Sequence, residues 1–198
     1  MAWEVNTVMT SSDPASAASD ANDRGVPTLK GVGATEVTAW QILTGPFVGK
    51  YVMQSRWDSL TTFATGMREV AQNAANDAAL AEMLGRWTSE MRIVLADVIE
   101  GGRTNGEYLM STRFSSEGPQ VGLAHAIDLA TSNGAVGARI LTATAAGEWT
   151  GQTIGTSWYD SLDDIESVLA SNAGDDQMTA NARAAGLRIE SRSLFHRL

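Results

Sequence analysis

The sequence contains no cysteine. That single absence removes disulfides, thiolate metal sites, iron–sulfur clusters and cysteine nucleophiles together. It suits a reducing compartment. Basic residues are also scarce, with 14 Lys and Arg against 23 Asp and Glu, giving a formal net charge of −9. No basic run overcomes this locally, so phosphate backbones and anionic membrane surfaces are repelled. No apolar run approaches the ~18 residues needed to span a bilayer. The start of the chain lacks the basic residues and long apolar stretch of a secretory signal. The expectation is a soluble cytoplasmic protein with no nucleic-acid and no membrane partner. Phosphate-binding glycine loops, His/Asp/Glu metal clusters and nucleophile motifs are missing too, and Gly31-Val32-Gly33 is too short for a dinucleotide fingerprint. No metal and no cofactor is expected.

What remains is ordinary globular composition. Apolar residues make up 43% of 198 residues and charged residues 19%, enough for one large domain or two small ones sharing a core.

An internal duplication organises the chain. Ser55-Arg56-Trp57-Asp58-Ser59-Leu60 recurs 102 positions later as Ser157-Trp158-Tyr159-Asp160-Ser161-Leu162. The flanking segments agree in type and order. Each copy opens with a strand-like run, over 4–10 and 107–114. A serine-rich turn and a proline follow, Pro14 and Pro119, which suit the first turn of a helix. The first helical stretch is weak and alanine-rich after Pro14. Its counterpart over 120–131 carries Val121, Ala124, Ile127 and Ala130 at helical spacing. Glycine ends each helix, at Gly25 or Gly31 and at Gly134. Two strands joined by a glycine-containing turn come next, 35–44 with 50–57 and 136–145 with 152–158.

The Asp-Ser-Leu element then opens the second helix of each copy. Asp58 or Ser59, and Asp160 or Ser161, are placed to accept hydrogen bonds from free N–H groups of the first turn. Capping outweighs the alternative reading of these aspartates as a catalytic pair. Leu60, Phe63, Met67, Val70 and Ala71 form one apolar stripe; Leu162, Ile165, Val168 and Leu169 form the other. Polar helices over 77–86 and 176–185 and closing strands over 91–99 and 187–195 complete the copies. Arg92-Ile93 and Arg188-Ile189 take similar places. The glycine-rich stretch from Gly101 to Gly106 reads as the linker. The boundaries are therefore 1–102 and 103–198.

Strand, helix, strand, strand, helix, strand, twice over, is the split βαβ order of ferredoxin-like units. The expected fold class is α+β, with two tandem ferredoxin-like repeats. Helices cover one face of each antiparallel sheet. The strands around Trp40 and Tyr51 are apolar on both parities, so the second face is buried as well. The economical arrangement packs the two sheets on each other as an intramolecular dimer. Edge strands left over would offer a route to a homo-oligomer.

This layout, with the aromatic-Asp-Ser-Leu element, resembles the dimeric α+β barrel superfamily, which includes antibiotic-biosynthesis-monooxygenase-like, EthD and NIPSNAP-like domains and the chlorite-dismutase group. The resemblance implies the fold, and it implies three functions: a barrel binding a small hydrophobic or aromatic ligand or a partner protein, a cofactor-independent monooxygenase- or cyclase-like enzyme on a small aromatic substrate, and a haem enzyme of chlorite-dismutase type.

Six tryptophans and a set of strand residues supply site candidates. They are Trp40, Tyr51, Ser55, Trp57, Arg139, Ser157 and Tyr159 for ligand binding, with His125 as a candidate base. His196 is the other histidine. Tyr51 and Met53 face Thr153 and Gly155 across the repeat. That difference in bulk either opens a pocket in the second copy or reflects large-with-small core filling. Arg139 either holds an anion inside the barrel or sits at an edge. The lack of a convergent acid–base set favours binding over catalysis.

Overall fold

The computed structural model describes residues 2–198. Its first half contains β1 (Trp3–Ser11), a helical run over 14–31, β2 (Glu36–Ile42), β3 (Tyr51–Trp57), α3 (Leu60–Asn76), α4 (Ala78–Gly85) and β4 (Trp87–Gly102). The run over 14–31 is broken: a 3-10 turn at Pro14–Ser16, α1 (Ala17–Ser19), a π stretch Asp20–Gly25 and α2 (Val26–Gly31). The second half repeats the order with β5 (Tyr108–Ser115), α5 (Leu123–Ser132), β6 (Gly137–Ala145), β7 (Thr153–Tyr159), α6 (Leu162–Gly174), α7 (Asp176–Ala184) and β8 (Arg188–Arg197).

Local chemistry explains the element starts. The serine, not the aspartate, of each Asp-Ser-Leu element is the cap. Ser59 accepts from the Thr62 N–H and Ser161 from the Asp164 N–H. Asp77 and Asp175 cap the following helices in the same way. The second helix stripe starts later than its sequence pattern implied: Leu60 and Leu162 are exposed, while Val70, Ile165 and Val168 are buried. Pro119 lies outside α5, because Gly122 adopts φ +72° and delays the helix to Leu123.

The eight strands close into one antiparallel barrel in the order β1-β3-β2-β8-β5-β7-β6-β4. Each half contributes four adjacent strands. The seams between halves are β4 with β6, from Val94–Ala145 to Gly102–Gly137, and the shorter β2 with β8, where Trp40, Gln41 and Ile42 meet Arg197, His196 and Phe195. This corrects the expected oligomer route. The edge strands of each half pair with the other half, so closure spends the edges a second chain would have used. It also moves the connection between halves: β4 runs through Gly102, leaving 103–107 to link the copies.

Strand parity separates two kinds of core. Val8, Trp40, Ile42 and Val52 of the first half meet Leu109, Trp158 and Phe195 of the second. Ile93 and Leu95 likewise meet Leu141, Ala143 and Ile154. These side chains point into the barrel. The opposite parity faces outward beneath helices: Val5, Val37 and Trp57 under the first set, and Met110, Ile140 and Tyr159 under the second, where Ile99 from the end of β4 joins them.

Register fixes the internal equivalence better than sequence does. Thr7 lies opposite Arg92 and Thr112 opposite Arg192. A bulge follows in each pair, skipping Glu90 in one and Glu190 in the other. Arg92 therefore corresponds to Arg192, not to Arg188 as the shared Arg-Ile dipeptide suggested.

A buried ion pair crosses the barrel interior. Glu4 and Arg139 are 0% and 2% exposed, and Arg139 Nη1 donates to Glu4 Oε2 at 2.8 Å. Gln54 donates to the same carboxylate at 2.9 Å and accepts from the Trp40 indole at 3.0 Å. Removing one partner strands a buried charge, whereas removing both does not. Glu4→Gln is expected to lower the unfolding free energy by about 3 kcal/mol, and the double change Glu4→Met/Arg139→Met to recover most of that loss. Urea unfolding of both variants measures it. Residues 1–102 expressed alone would expose Trp40, Val52, Ile93 and Leu95, each Val, Leu or Ile forfeiting about 1.5–3 kcal/mol of burial. A stable monomer by light scattering and thermal unfolding would contradict this account; a self-associated or unfolded species is expected.

Candidate functional site

The sequence-derived candidates do not converge on one place. Trp40 and Arg139 point into the barrel. Arg139 lies neither at an edge nor free for an anion: besides Glu4, its Nε reaches Glu100 at 3.1 Å and its Nη2 reaches Glu36 at 3.5 Å. Tyr51, Ser55 and Trp57 face the helices of the first half. Tyr51 packs edge-on against Trp87 at 5.2 Å. Ser55 accepts from the Trp57 indole at 2.9 Å and donates to the Val5 carbonyl at 3.2 Å. Ser157 and Tyr159 occupy the equivalent face of the second half.

Arg139 belongs to a charged group at one end of the barrel. Arg56 pairs there with Asp97, with Glu100 at 2.7 Å and with Glu36 at 3.4 Å. Two arginines thus face four carboxylates. Burial pushes the Asp97 carboxyl above its usual range, against the pull of Arg56 and Arg139. Hydrogen bonding to Arg56 holds Glu100 below its own. These groups spend their charge on one another.

A cavity of about 80 Å3 lies inside the barrel beside Trp40, and the two larger ones lie between each outer sheet face and its helices. The first half has about 190 Å3, lined by Met53, Phe63, Met67, Met83 and Trp87 among others. The second has about 480 Å3, within the ~300–1,000 Å3 of small-molecule sites. The difference follows from substitution across the repeat. Gly155 stands where the first half has Met53, Ile165 where it has Phe63, and Leu187 where it has Trp87. The helical run over 14–31 also narrows the first cavity, whereas the second is bordered by the irregular segment of Gln120, Val121 and Gly122. Of the named candidates, Ser157 lines the large cavity with its side chain pointing to the helices; Arg139 borders it from the strand while its guanidinium is held inside the barrel.

The large cavity is mainly apolar, walled by Met110, Ile127, Ile140, Leu169 and Met178. Its sheet floor carries hydroxyls. Thr112 accepts from Arg192 Nε at 3.3 Å, and Thr153 accepts from the Gln120 amide. Each hydroxyl keeps its own proton to donate. Tyr159 lies buried beside Ser157 with its hydroxyl oxygen unpartnered. Burial pushes its phenol above the usual range, so it stays neutral at physiological pH.

His125 is turned away from this cavity. Its Nε2 lies 2.9 Å from Asp175 Oδ1, which also accepts from the Met178 N–H. The Met178 N–H, then His125, hold the Asp175 carboxyl low. His196 stands at the β2–β8 seam beside Tyr108 and 3.5 Å from Glu107. No histidine, lysine, aspartate or glutamate lines the large cavity among the described residues, and those residues hold no His/Asp/Glu cluster of metal-binding geometry. Sequence reasoning missed Arg192, whose signal is the repeat of Thr7 and Arg92 visible only once the register is known. It did flag the asymmetry of Met53 and Gly155.

No helix of the described residues is long and apolar enough to cross a membrane. No protein-family model and no curated protein matches the sequence. Solved structures do match across the whole chain. An anthrone oxidase-like protein aligns over 100% of this chain and 91% of its own, at 14% identity and TM-score 0.57. A candidate monooxygenase from Fusobacterium nucleatum aligns over 99% and 92%, at 10% identity and TM-score 0.61. A mutant chlorite dismutase from Candidatus Nitrospira defluvii aligns over 100% and 90%, at 9% identity and TM-score 0.60. Such identities speak for the fold and leave activity aside. With the closed eight-stranded antiparallel barrel, they give this chain the dimeric α+β barrel fold, built from two ferredoxin-like repeats in tandem.

Proposed function

We propose that the protein binds a small hydrophobic or aromatic molecule between the sheet and helices of its second half, in an accessory rather than a catalytic role. The observation that carries this reading is the inequality of the two outer cavities. Equivalent positions hold large side chains in one half and small ones in the other. Mere core filling would be expected to close both, since voids cost packing energy. The lining supports binding over chemistry, because it offers hydroxyls and amides and no histidine, carboxylate or lysine to move a proton.

A second reading draws on the fold neighbours. An anthrone oxidase-like protein and a candidate monooxygenase share this architecture, so an oxygenase-like reaction on a small aromatic substrate is the alternative. Haem fits less well. An axial ligand is needed, usually a histidine, thiolate or tyrosinate. The large cavity presents none of these, and His125 is engaged with Asp175 on the far side of α5.

A thermal-shift screen with aromatic acids, quinols and medium-chain fatty acids tests the reading. A rise of several degrees is expected for some of them. Gly155→Met, which restores the first half's side chain, should abolish that rise. Gly155 has no positive φ, and an added Cβ would meet Phe114 Cε2 at 3.2 Å, a ring that must give slightly. His125→Ala should leave the rise unchanged. Absence of any hit would turn the reading toward a partner-binding role, and oxygen uptake with an anthrone would turn it toward the enzyme. Added haem is expected to give no shifted Soret band.

A further inference from the structure

We infer that the ligand of the large cavity is an amphipathic carboxylate, whose charged end meets Arg192 while its apolar body lies beneath α5, α6 and α7. This rests on the binding reading above and narrows it to a ligand class.

Charge selection is the first argument. The chain carries a net charge of −9, yet no aspartate or glutamate lines this cavity among the described residues. An acidic protein that keeps every carboxylate off one cavity wall leaves that wall open to an anion.

The second argument is Arg192 itself. Arg139 also borders the cavity, but its guanidinium is held by Glu4, Glu36 and Glu100. Arg192 makes one side-chain hydrogen bond among the described residues, from Nε to Thr112 Oγ1 at 3.3 Å. Both terminal amino groups remain free. A guanidinium fixed at Nε with its two ends free matches the two oxygens of a carboxylate. Thr112 is buried, so its anchoring oxygen does not move with solvent.

The first half supplies an internal control. Arg92 makes the same bond, from Nε to Thr7 Oγ1 at 3.4 Å. Its guanidinium, however, lies over the Phe63 ring at 5.6 Å. The carboxylate of Asp20 also borders that cavity, paired with Arg86. In the second half Ile165 replaces Phe63, which removes the stacking partner and leaves the arginine unoccupied. The Arg–Thr pair is thus repeated, and the second copy alone has both a free guanidinium and space beside it. The apolar side chains of Val121 and Ile189, 50% and 57% exposed, border the same cavity and extend its greasy surface to the outside.

The test compares octanoate with 1-octanol by isothermal titration calorimetry on the full chain, with Arg192→Gln and Gly155→Met. Octanoate is expected to bind wild type more tightly than octanol. Arg192→Gln should weaken octanoate about tenfold or more and leave octanol unchanged. Arg192 is solvent-exposed, so this change should not disturb folding, and circular dichroism checks both variants. Equal affinity for acid and alcohol, or octanoate binding unaltered in Arg192→Gln, would overturn the inference. In that case octanol binding lost in Gly155→Met would leave the cavity reading standing. Failure of both molecules to bind wild type, or binding unaltered by Gly155→Met, would remove the cavity reading and this inference together.

Discussion

The inward faces of two four-stranded sheets have only each other to pack against. Barrel closure and the shared core follow from that constraint. Two sheets that pack face to face at a steady distance still leave edges open; these sheets instead join edge to edge at β4–β6 and β2–β8. Closure leaves a narrow interior that side chains from both halves must fill jointly, as Trp40 and Val52 do with Trp158 and Leu109. It also explains a fully buried ion pair. Glu4 and Arg139 come from different halves, and each is the other's answer to burial. Gln54 and Asn6 complete the hydrogen bonding of that carboxylate, and Gln54 in turn accepts from the Trp40 indole. The network adds little to net stability in such a place, because desolvation offsets attraction. Its consequence is registration: a slip of either sheet by one residue would leave a charge in the core unpaired.

The outer faces are under no such joint constraint. Each is covered mainly by the helices of its own half, with only the end of β4 reaching under α5, so most of each face can change without disturbing the other. The first half uses this freedom to fill its cavity with Met53, Phe63 and Trp87. The second uses it to leave about 480 Å3 open. Stability and site are therefore separated in space. The shared interior holds the halves together, the first outer face is the more fully packed, and the second holds the larger cavity.

Local signals made much of this legible in the sequence. Element order, the duplication and the two serine caps depend on residues close in sequence, where propensity and capping act directly. Barrel closure depends on which edges meet across the whole chain, and no short-range pattern encodes it. The alignment of Arg92 with Arg192 was hidden for a related reason. The repeat is offset by different amounts along its length, so a rule taken from the Asp-Ser-Leu element misplaces residues on the last strands. A matching Arg-Ile dipeptide then pointed to Arg188, which sits exposed beside Glu117. Strand parity was equally out of reach. With apolar residues on both faces, alternation cannot say which side is inside, and so the candidate list mixed barrel-facing Trp40 with helix-facing Ser157.

Arg139 shows how burial and availability diverge. From sequence, an arginine on a central strand invites an anion. In the structure, Glu4, Glu36 and Glu100 reach it at 3.5 Å or less, and its guanidinium lies 5.3 Å from the Trp158 ring. A charged ligand competing for it would have to displace a carboxylate that has no solvent to retreat into. Arg192 is less buried and less conspicuous, yet it costs a ligand almost nothing to reach. Among cationic groups on a fold like this one, the useful arginine is the one whose hydrogen bonds are left undone, and the surrounding carboxylates decide which that is.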